Sequence, residues 1–191
     1  MTRTALFLGV AAAALAISGC DQGDQAAQPG NAAAGEAGEA GAETIAAGID
    51  ENSRFFQAAK AAGLDATLAG PGPYTVLVPN DAAFGKLPAG TTEGWTKPEA
   101  RAQLTGVLTN HILPGTILAE DIGKAIDNGK GKAVLATMGG GTLTATREGG
   151  NIVLTDSAGA KATVTEADQK RSNGVVHQID AVLMPSQQGE A

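Results

Sequence analysis

The chain has 191 residues and a formal net charge of −7, with 13 Lys and Arg residues against 20 Asp and Glu residues. This balance argues against a nucleic-acid binder, because such a protein needs a basic surface to neutralise phosphates. Aromatic residues make up only 3% of the chain, so stacking platforms for bases or sugars are scarce.

Residues 1–19 have the pattern of a secretory signal peptide. Arg3 is followed by an apolar run that is too short to span a bilayer comfortably, and then by small residues. The sequence LAISGC resembles the lipobox of bacterial lipoproteins, in which the signal is cut before a cysteine that takes a diacylglycerol. We therefore predict a lipoprotein signal at 1–19 and lipidation of Cys20. The alternative is a plain signal peptide with an incidental cysteine.

Cys20 is the only cysteine of the chain, which excludes an internal disulfide. Together with the residues up to 43 it is predicted to form a lipid-bearing, flexible tether rich in Ala, Gly and Glu. No large apolar residue occurs in residues 21–43, so they cannot form a core. A coil of this length spans roughly 25–30 Å. Residues 186–191 are predicted to be a polar tail.

The folded domain is predicted at residues 44–185. Apolar residues recur at helical spacing from 44 to 63, which predicts one amphipathic helix that Thr44 caps and Gly63 ends. A further helical turn is predicted in LDATLAG, and a loop is predicted in AGTTEGWT.

A buried strand is predicted over residues 74–78, where a short β-rich apolar run precedes Pro79. Asn80 or Asp81 can accept hydrogen bonds from the N–H groups that open the next helix, to which Phe84 belongs. Pro98 is predicted as the first residue of another helix. One face of that helix carries apolar residues at helical spacing and ends at His111, and AEDIGKAIDNGKG is predicted as a short helix or loop.

Beyond Lys132 the period changes from that of helices to that of strands. Four short Thr- and Val-rich stretches are separated by Gly-rich or polar turns, which is typical of a meander of hairpins. After a turn at Asn173–Gly174, a last strand is predicted up to Pro185, with His177 on its more apolar face. Helices first and strands later indicate an α+β fold rather than repeated βαβ units.

The sequence lacks the common catalytic patterns. There is no G-x-S-x-G nucleophile elbow, and the GGG at 139–141 is not followed by the lysine and helix of a phosphate loop. The two histidines lie 66 residues apart without an H-x-x-x-H arrangement. We therefore expect no enzyme activity, no cofactor and no metal site.

His111 and His177 both fall on apolar faces. A buried imidazole needs hydrogen-bond partners for both ring nitrogens. We predict that each ring makes structural hydrogen bonds in the core, to the backbone, to Asp180 or to a nearby loop. Proton transfer or metal ligation is the alternative function for these two residues.

Three stretches resemble the signature segments of the fasciclin domain family, in the family's order. They are YTVLVPNDAAF (74–84), LTNHILPG (108–115) and NGVVHQIDAVLMP (173–185). The residues that carry the resemblance are Asn80, Asp81, Phe84, His111, Asn173, Gly174, His177, Asp180 and Pro185. The resemblance covers about residues 44–185 and implies a wedge-shaped β-sandwich with an N-terminal set of helices.

The resemblance also implies a function. Domains of this family are generally secreted or surface-anchored, and they act in cell adhesion or matrix attachment rather than in catalysis. In some animal members adhesion is linked to a tyrosine–histidine segment and to an Asp-Ile pair. The matching positions here are Asn110–His111 and Asp168–Gln169, so the tyrosine and the isoleucine are absent.

We therefore expect a bacterial envelope lipoprotein that displays one fasciclin domain and acts in adhesion or surface interaction, including biofilm attachment. The expected partners are the membrane, through the lipid on Cys20, and a protein or glycan surface, without nucleic acid. The location would be periplasmic or at the cell surface. The alternative function is a periplasmic ligand-binding or envelope-maintenance module without an adhesive role.

Overall fold

A computed structural model describes residues 41–95 and 97–185 of the chain. A short 3-10 turn, Pro98–Ala100, lies directly before the helix that begins at Arg101. The helices come mostly before the strands, which confirms the predicted α+β class. The helices are α1 Ile45–Gly48, α2 Arg54–Ala62, α3 Asp65–Ala69, α4 Asp81–Gly85, α5 Thr91–Trp95, α6 Arg101–Thr109 and α7 Ala119–Asn128. The strands are β1 Tyr74–Pro79, β2 Ile112–Pro114, β3 Lys132–Ala136, β4 Thr142–Glu148, β5 Asn151–Thr155, β6 Lys161–Arg171 and β7 Gly174–Ile179.

The seven strands form one sheet in the order β2-β1-β7-β6-β5-β4-β3. Strands β3 to β7 are the predicted meander of antiparallel neighbours. Strand β1 lies parallel to β7, and β2 lies antiparallel to β1. The long strand β6 pairs with both β5 and β7, and its pairing with β7 shifts register between Val164 and Gln169. Strand β6 therefore joins β2, β1 and β7 on one side to β5, β4 and β3 on the other in one continuous sheet.

The central strands are buried on both faces, because side chains alternate along a strand. Val76 and Val176 contribute to a cluster with helices α1, α2, α4 and α6. On the opposite face, Leu77 and Ile179 join the apolar side chains of α7 and of the meander. The sheet thus has helices packed against both of its faces.

The single helix predicted over residues 44–63 is wrong, since the segment forms α1 and α2 with an interruption. The Asp50 carboxylate accepts from the Asn52 N–H (2.8 Å), and Ser53 Oγ accepts from the Phe56 N–H (3.2 Å). Short polar side chains of this kind compete with helical backbone bonding. Ser53 therefore begins a second helix where the apolar period had suggested continuity.

The two ends of that segment are as predicted. Thr44 Oγ1 accepts from the Ala47 N–H (3.3 Å) and caps α1. Gly63 ends α2 in the left-handed region with φ 77°, where a glycine has no Cβ to crowd the backbone. The stretch AGTTEGWT, which was predicted as a loop, contains helix α5.

The last strand ends at Ile179 rather than at Pro185. The Asp180 N–H donates to Thr163 O (3.1 Å), and the Asp180 carboxylate accepts from the Thr163 N–H (2.7 Å). Lys86 Nζ donates to the Asp180 carbonyl (2.7 Å). These bonds turn the chain out of the sheet, so the predicted strand face beyond Ile179 is wrong. Pro185 is half-buried at the last described position.

Candidate functional site

The first signature segment places Asn80 and Asp81 at the start of two different helices. Asn80 Oδ1 accepts from the Ala83 N–H (2.9 Å) and caps α4. Asp81 Oδ1 accepts from the N–H of Arg54, the first residue of α2 (3.0 Å). Phe84 is buried in the apolar cluster that the sheet forms with α1, α2, α4 and α6, which we call the helix-side core. The segment thus joins strand β1 to two helices, and both polar side chains serve the fold.

His111 is fully buried and both of its ring nitrogens are engaged. The Nδ1–H group donates to Val107 O (2.8 Å), and Nε2 accepts from the Leu183 N–H (3.0 Å). Desolvation lowers the pKa of His111 to about 4, because burial disfavours the charged ring. The neutral ring therefore connects the end of α6 to the C-terminal segment.

His177 is also buried and neutral, with the opposite tautomer. Its Nε2–H group donates to Ile117 O (2.8 Å), and its Nδ1 accepts from the Asp168 N–H (3.1 Å). Desolvation again lowers the pKa of His177 below its ordinary value. All four partners of the two histidines are backbone groups, and Asp180 is not among them. Neither ring keeps a nitrogen for proton transfer or for a metal.

Asp168 has a structural role that the sequence did not predict. It lies in the register shift of β6 with φ 60°, a left-handed conformation that Asp tolerates better than most residues. Its Oδ1 accepts from the N–H of Ala119, the first residue of α7 (2.8 Å), and lies 3.9 Å from His177 Nδ1. An aspartate inside a strand pattern was the available signal, but its partner is 49 positions away.

Asn173 ties the sheet to the N-terminal helices. Its Oδ1 accepts from the Ile45 N–H (2.7 Å), and its Nδ2 donates to Leu68 O (2.9 Å) and to Gly70 O (2.7 Å). These three backbone groups belong to α1, to α3 and to the residue that ends α3. One amide side chain therefore holds two helices against the start of β7.

Gly174 is required by close backbone approach. A Cβ atom built at this position would meet the carbonyl oxygen of Tyr74 in the neighbouring strand β1. Its φ of 153° is also one that side-chain-bearing residues rarely adopt. The Asn-Gly pair thus combines a polar tie with a position that only glycine fits.

Asp156 is a second residue with a structural role that the sequence did not predict. Its Oδ1 accepts from the Ala160 N–H (2.8 Å), and its Oδ2 accepts from the Met184 N–H (2.9 Å). The buried carboxylate therefore closes the β5–β6 turn and fastens the segment after β7. Since an Asp in a turn commonly bonds its own backbone, only the Met184 contact was beyond local prediction.

Replacing His177 with alanine is expected to lower the free energy of unfolding by about 2–3 kcal/mol. The substitution leaves a cavity and removes partners from two backbone groups. Urea unfolding at pH 7.5 measures the effect. Gln178→Ala, one position along and on the other face, serves as the control, since its side chain has no hydrogen bond to a described residue. Equal unfolding midpoints for His177→Ala and the parent would contradict a structural role.

In this chain, the positions that match the adhesion-linked segments of animal family members make hydrogen bonds within the domain. Asn110 and His111 are buried, and Asn110 Oδ1 accepts from Thr137 Oγ1 (3.1 Å). The Asp168 carboxylate caps α7, as described above. The Asn110–His111 segment is therefore buried, whereas the Asp168 side chain stays 38% exposed beside its bond to α7.

Strand β3 is an edge of the sheet with unpaired backbone groups. Thr137 donates its N–H to Gly141 O on the β4 side (3.0 Å), whereas Met138 donates to Ile112 O on the opposite side (2.8 Å). Groups two residues apart point the same way, so the N–H and C=O groups of Val134 and Ala136 face the side away from β4. No described residue bonds to them there.

Apolar side chains accompany this edge. Val134 is 69% exposed and Met138 is 46% exposed, and they are the two exposed large hydrophobic residues in the described part of the chain. An open strand edge can bind an extended partner strand through main-chain hydrogen bonds.

Within residues 41–95 and 97–185, no group of three His, Cys, Asp or Glu side chains is placed to hold a metal ion. In the same residues, no helix has the length and apolar character needed to cross a membrane. The predicted signal peptide, Cys20 and the polar tail lie outside the described residues.

Comparisons with known proteins agree with the signature segments. The family model described as "Fasciclin domain" matches residues 50–185. Protein sll1483 of Synechocystis sp. is 38% identical over 141 residues, which are 74% of this chain and 71% of that protein. Transforming growth factor-beta-induced protein ig-h3 of Sus scrofa is 35% identical over 72% of this chain, which spans 18% of that longer protein.

A solved structure supports the fold independently. The chain is similar to a FAS1 domain pair from the insect cell adhesion molecule Fasciclin I, with a TM-score of 0.64 and 18% identity. The match covers 75% of this chain and 51% of that one. Helices α2 to α7, the seven strands and the three signature segments all lie within residues 50–185, and the chain belongs to the fasciclin domain family.

Proposed function

We propose that this protein is a bacterial envelope lipoprotein whose fasciclin domain mediates adhesion or surface interaction rather than catalysis. The lipobox-like LAISGC and the Ala/Gly/Glu-rich segment after Cys20 support a lipid anchor with a tether. Family membership supports the adhesive role, since the family includes the insect cell adhesion molecule named above. The domain would face the periplasm or the cell exterior.

The observation that carries the proposal is the open edge of β3. Val134 and Ala136 offer unpaired backbone groups, and Val134 and Met138 offer exposed apolar side chains. A soluble domain normally protects such an edge with charge, proline or a covering element. Lys132 protects one end of the edge, and the hydrogen bond from Met138 to Ile112 brings β2 to the other end, so the open part is the short stretch of Val134 and Ala136.

The experiment compares attachment to surfaces and biofilm mass in a deletion strain and in complemented strains. Val134→Pro removes an N–H that faces away from β4, so the pairing with β4 is kept while the edge loses a donor. We expect Val134→Pro to fail to restore attachment that the parent gene restores. The control is Thr165→Lys, because a proline substitution inside β6 would disturb the pairing of that strand. Thr165 is exposed and lies in a strand that is separated from β3 by β5 and β4, so this variant should restore attachment.

Two results would overturn the proposal. Attachment and biofilm mass that are unchanged in the deletion strain would remove the adhesive role. Full restoration by Val134→Pro, with equal protein levels, would remove the β3 edge from it. Loss of the envelope fraction in Cys20→Ser, measured by membrane fractionation, is expected if the lipid is the anchor.

A further inference from the structure

Apart from the β3 edge, the described domain has a groove between helices α2, α4, α5 and α6. Its volume is about 550 Å³, within the range of small-molecule sites. The apolar part of its lining includes Phe84, Trp95 and Leu104, which also belong to the helix-side core, together with Ala58 and Ala61 of α2. An apolar chain or ring of a ligand would therefore lie against rigid, packed side chains.

Two side chains of the groove lining carry hydrogen-bond donors without an acceptor among the described residues. Trp95 is only 6% exposed, and its indole N–H donates to no described residue although it is not sealed from solvent. The exposed guanidinium of Arg54 has no ion pair or hydrogen bond within the described residues. The Glu93 carboxylate also lines the groove and accepts from Thr92 (3.2 Å). The donors of Trp95 and Arg54 therefore favour a ligand group that accepts hydrogen bonds.

The charge of Arg54 adds to this preference. It is the first residue of helix α2, where the backbone N–H groups of Arg54 and Phe56 are already bonded to Asp81 Oδ1 and Ser53 Oγ, so the guanidinium itself supplies the positive charge. A carboxylate accepts hydrogen bonds from guanidinium and indole groups. The lining therefore combines an apolar floor with a cation that has no ion pair within the described residues.

We infer that this groove binds a small amphiphile that has an apolar chain and a carboxylate head. The carboxylate lies at Arg54 and the Trp95 N–H, and the chain extends along Ala58, Phe84 and Leu104. This function goes beyond the adhesive role, and it does not depend on the β3 edge.

The test uses decanoate and 1-decanol as probes below their micelle-forming concentrations. The protein is the full chain with Cys20→Ser, so that no attached lipid competes. Because Trp95 is the only tryptophan, its fluorescence reports on the groove directly, and calorimetry measures binding independently of emission. We expect saturable binding of decanoate that is about tenfold tighter than binding of decanol.

Three variants locate the binding. Ala58→Phe fills the groove from α2 and should abolish binding of both probes, with the far-UV dichroism unchanged. Arg54→Gln should remove the preference for decanoate. Lys60→Gln makes the same charge change on the same helix but away from the groove lining, and it should keep that preference.

The inference is overturned if calorimetry shows no saturable binding of decanoate. It is also overturned if decanol binds as tightly, if Arg54→Gln keeps the preference, or if binding survives Ala58→Phe. Because cell attachment plays no part in this measurement, its failure would leave the adhesive proposal untouched.

Discussion

Replacing Asn173 with alanine is expected to lower the free energy of unfolding by about 3 kcal/mol, at roughly 1 kcal/mol for each of three hydrogen bonds. The lost bonds are those to Ile45, Leu68 and Gly70, at 2.7, 2.9 and 2.7 Å. The cost is high because their backbone groups lose a partner while α1 and α3 stay packed on the sheet. Urea unfolding followed by far-UV dichroism measures it.

Two further variants make this test specific. Asn173→Asp keeps the acceptor for the Ile45 N–H but places a carboxylate against the two carbonyls, so it should be at least as harmful as alanine near pH 7. Asn151→Ala changes an exposed asparagine whose side chain has no hydrogen bond to a described residue, and it should stay within about 0.5 kcal/mol of the parent. An Asn173→Ala protein as stable as Asn151→Ala would disprove the tie.

Acid is expected to destabilise the domain well above the pH at which carboxylates titrate. The ordinary pKa of histidine is 6.5, and the folded pKa of His111 is about 4. Between these values the unfolded chain binds a proton that the folded protein does not, so stability is complete above about pH 7 and falls as pH decreases. His111 alone accounts for a loss of about 2 kcal/mol at pH 5 and about 3 kcal/mol at pH 4.

His177 adds to the loss in the same direction, because its folded pKa is also lowered. The structural cause is shared: His111 Nε2 and His177 Nδ1 each accept a backbone N–H, and a proton on either nitrogen would face that donor. Urea unfolding at several pH values from 7.5 to 5 gives the slope of stability against pH, which counts the protons taken up on unfolding. A slope near zero in this range would contradict neutral, accepting imidazoles. In the His177→Ala protein, the slope of stability against pH should fall to the part that His111 contributes.

Local sequence signals predicted much of the fold. The apolar runs located β1 and the meander, and the polar and Gly positions at Thr44, Asn80 and Gly63 marked helix ends correctly. These succeed because strand period and capping depend on residues within a few positions of one another. The prediction of one helix over 44–63 failed because the side chains of Asp50 and Ser53 make local bonds that outweigh apolar periodicity.

The end of β7 shows the opposite case. Nothing between Ile179 and Pro185 breaks the β pattern locally, yet the strand stops at Ile179. Asp180 bonds to Thr163 in β6 and to Lys86 after α4, and both partners are distant in the sequence. Periodicity cannot reveal such competition, because it contains no information on what lies across the sheet.

The sequence by itself determined the α+β order of elements, the resemblance of its three signature segments to the fasciclin domain, and the apolar faces on which both histidines lie. Only the tertiary structure decided what those residues do. The partners of Asn173 are 103 to 128 positions away, and His177 donates to a carbonyl 60 positions away. A buried polar group must find its partner wherever the packed chain places one. The same packing left part of the β3 edge and the groove between α2, α4, α5 and α6 accessible.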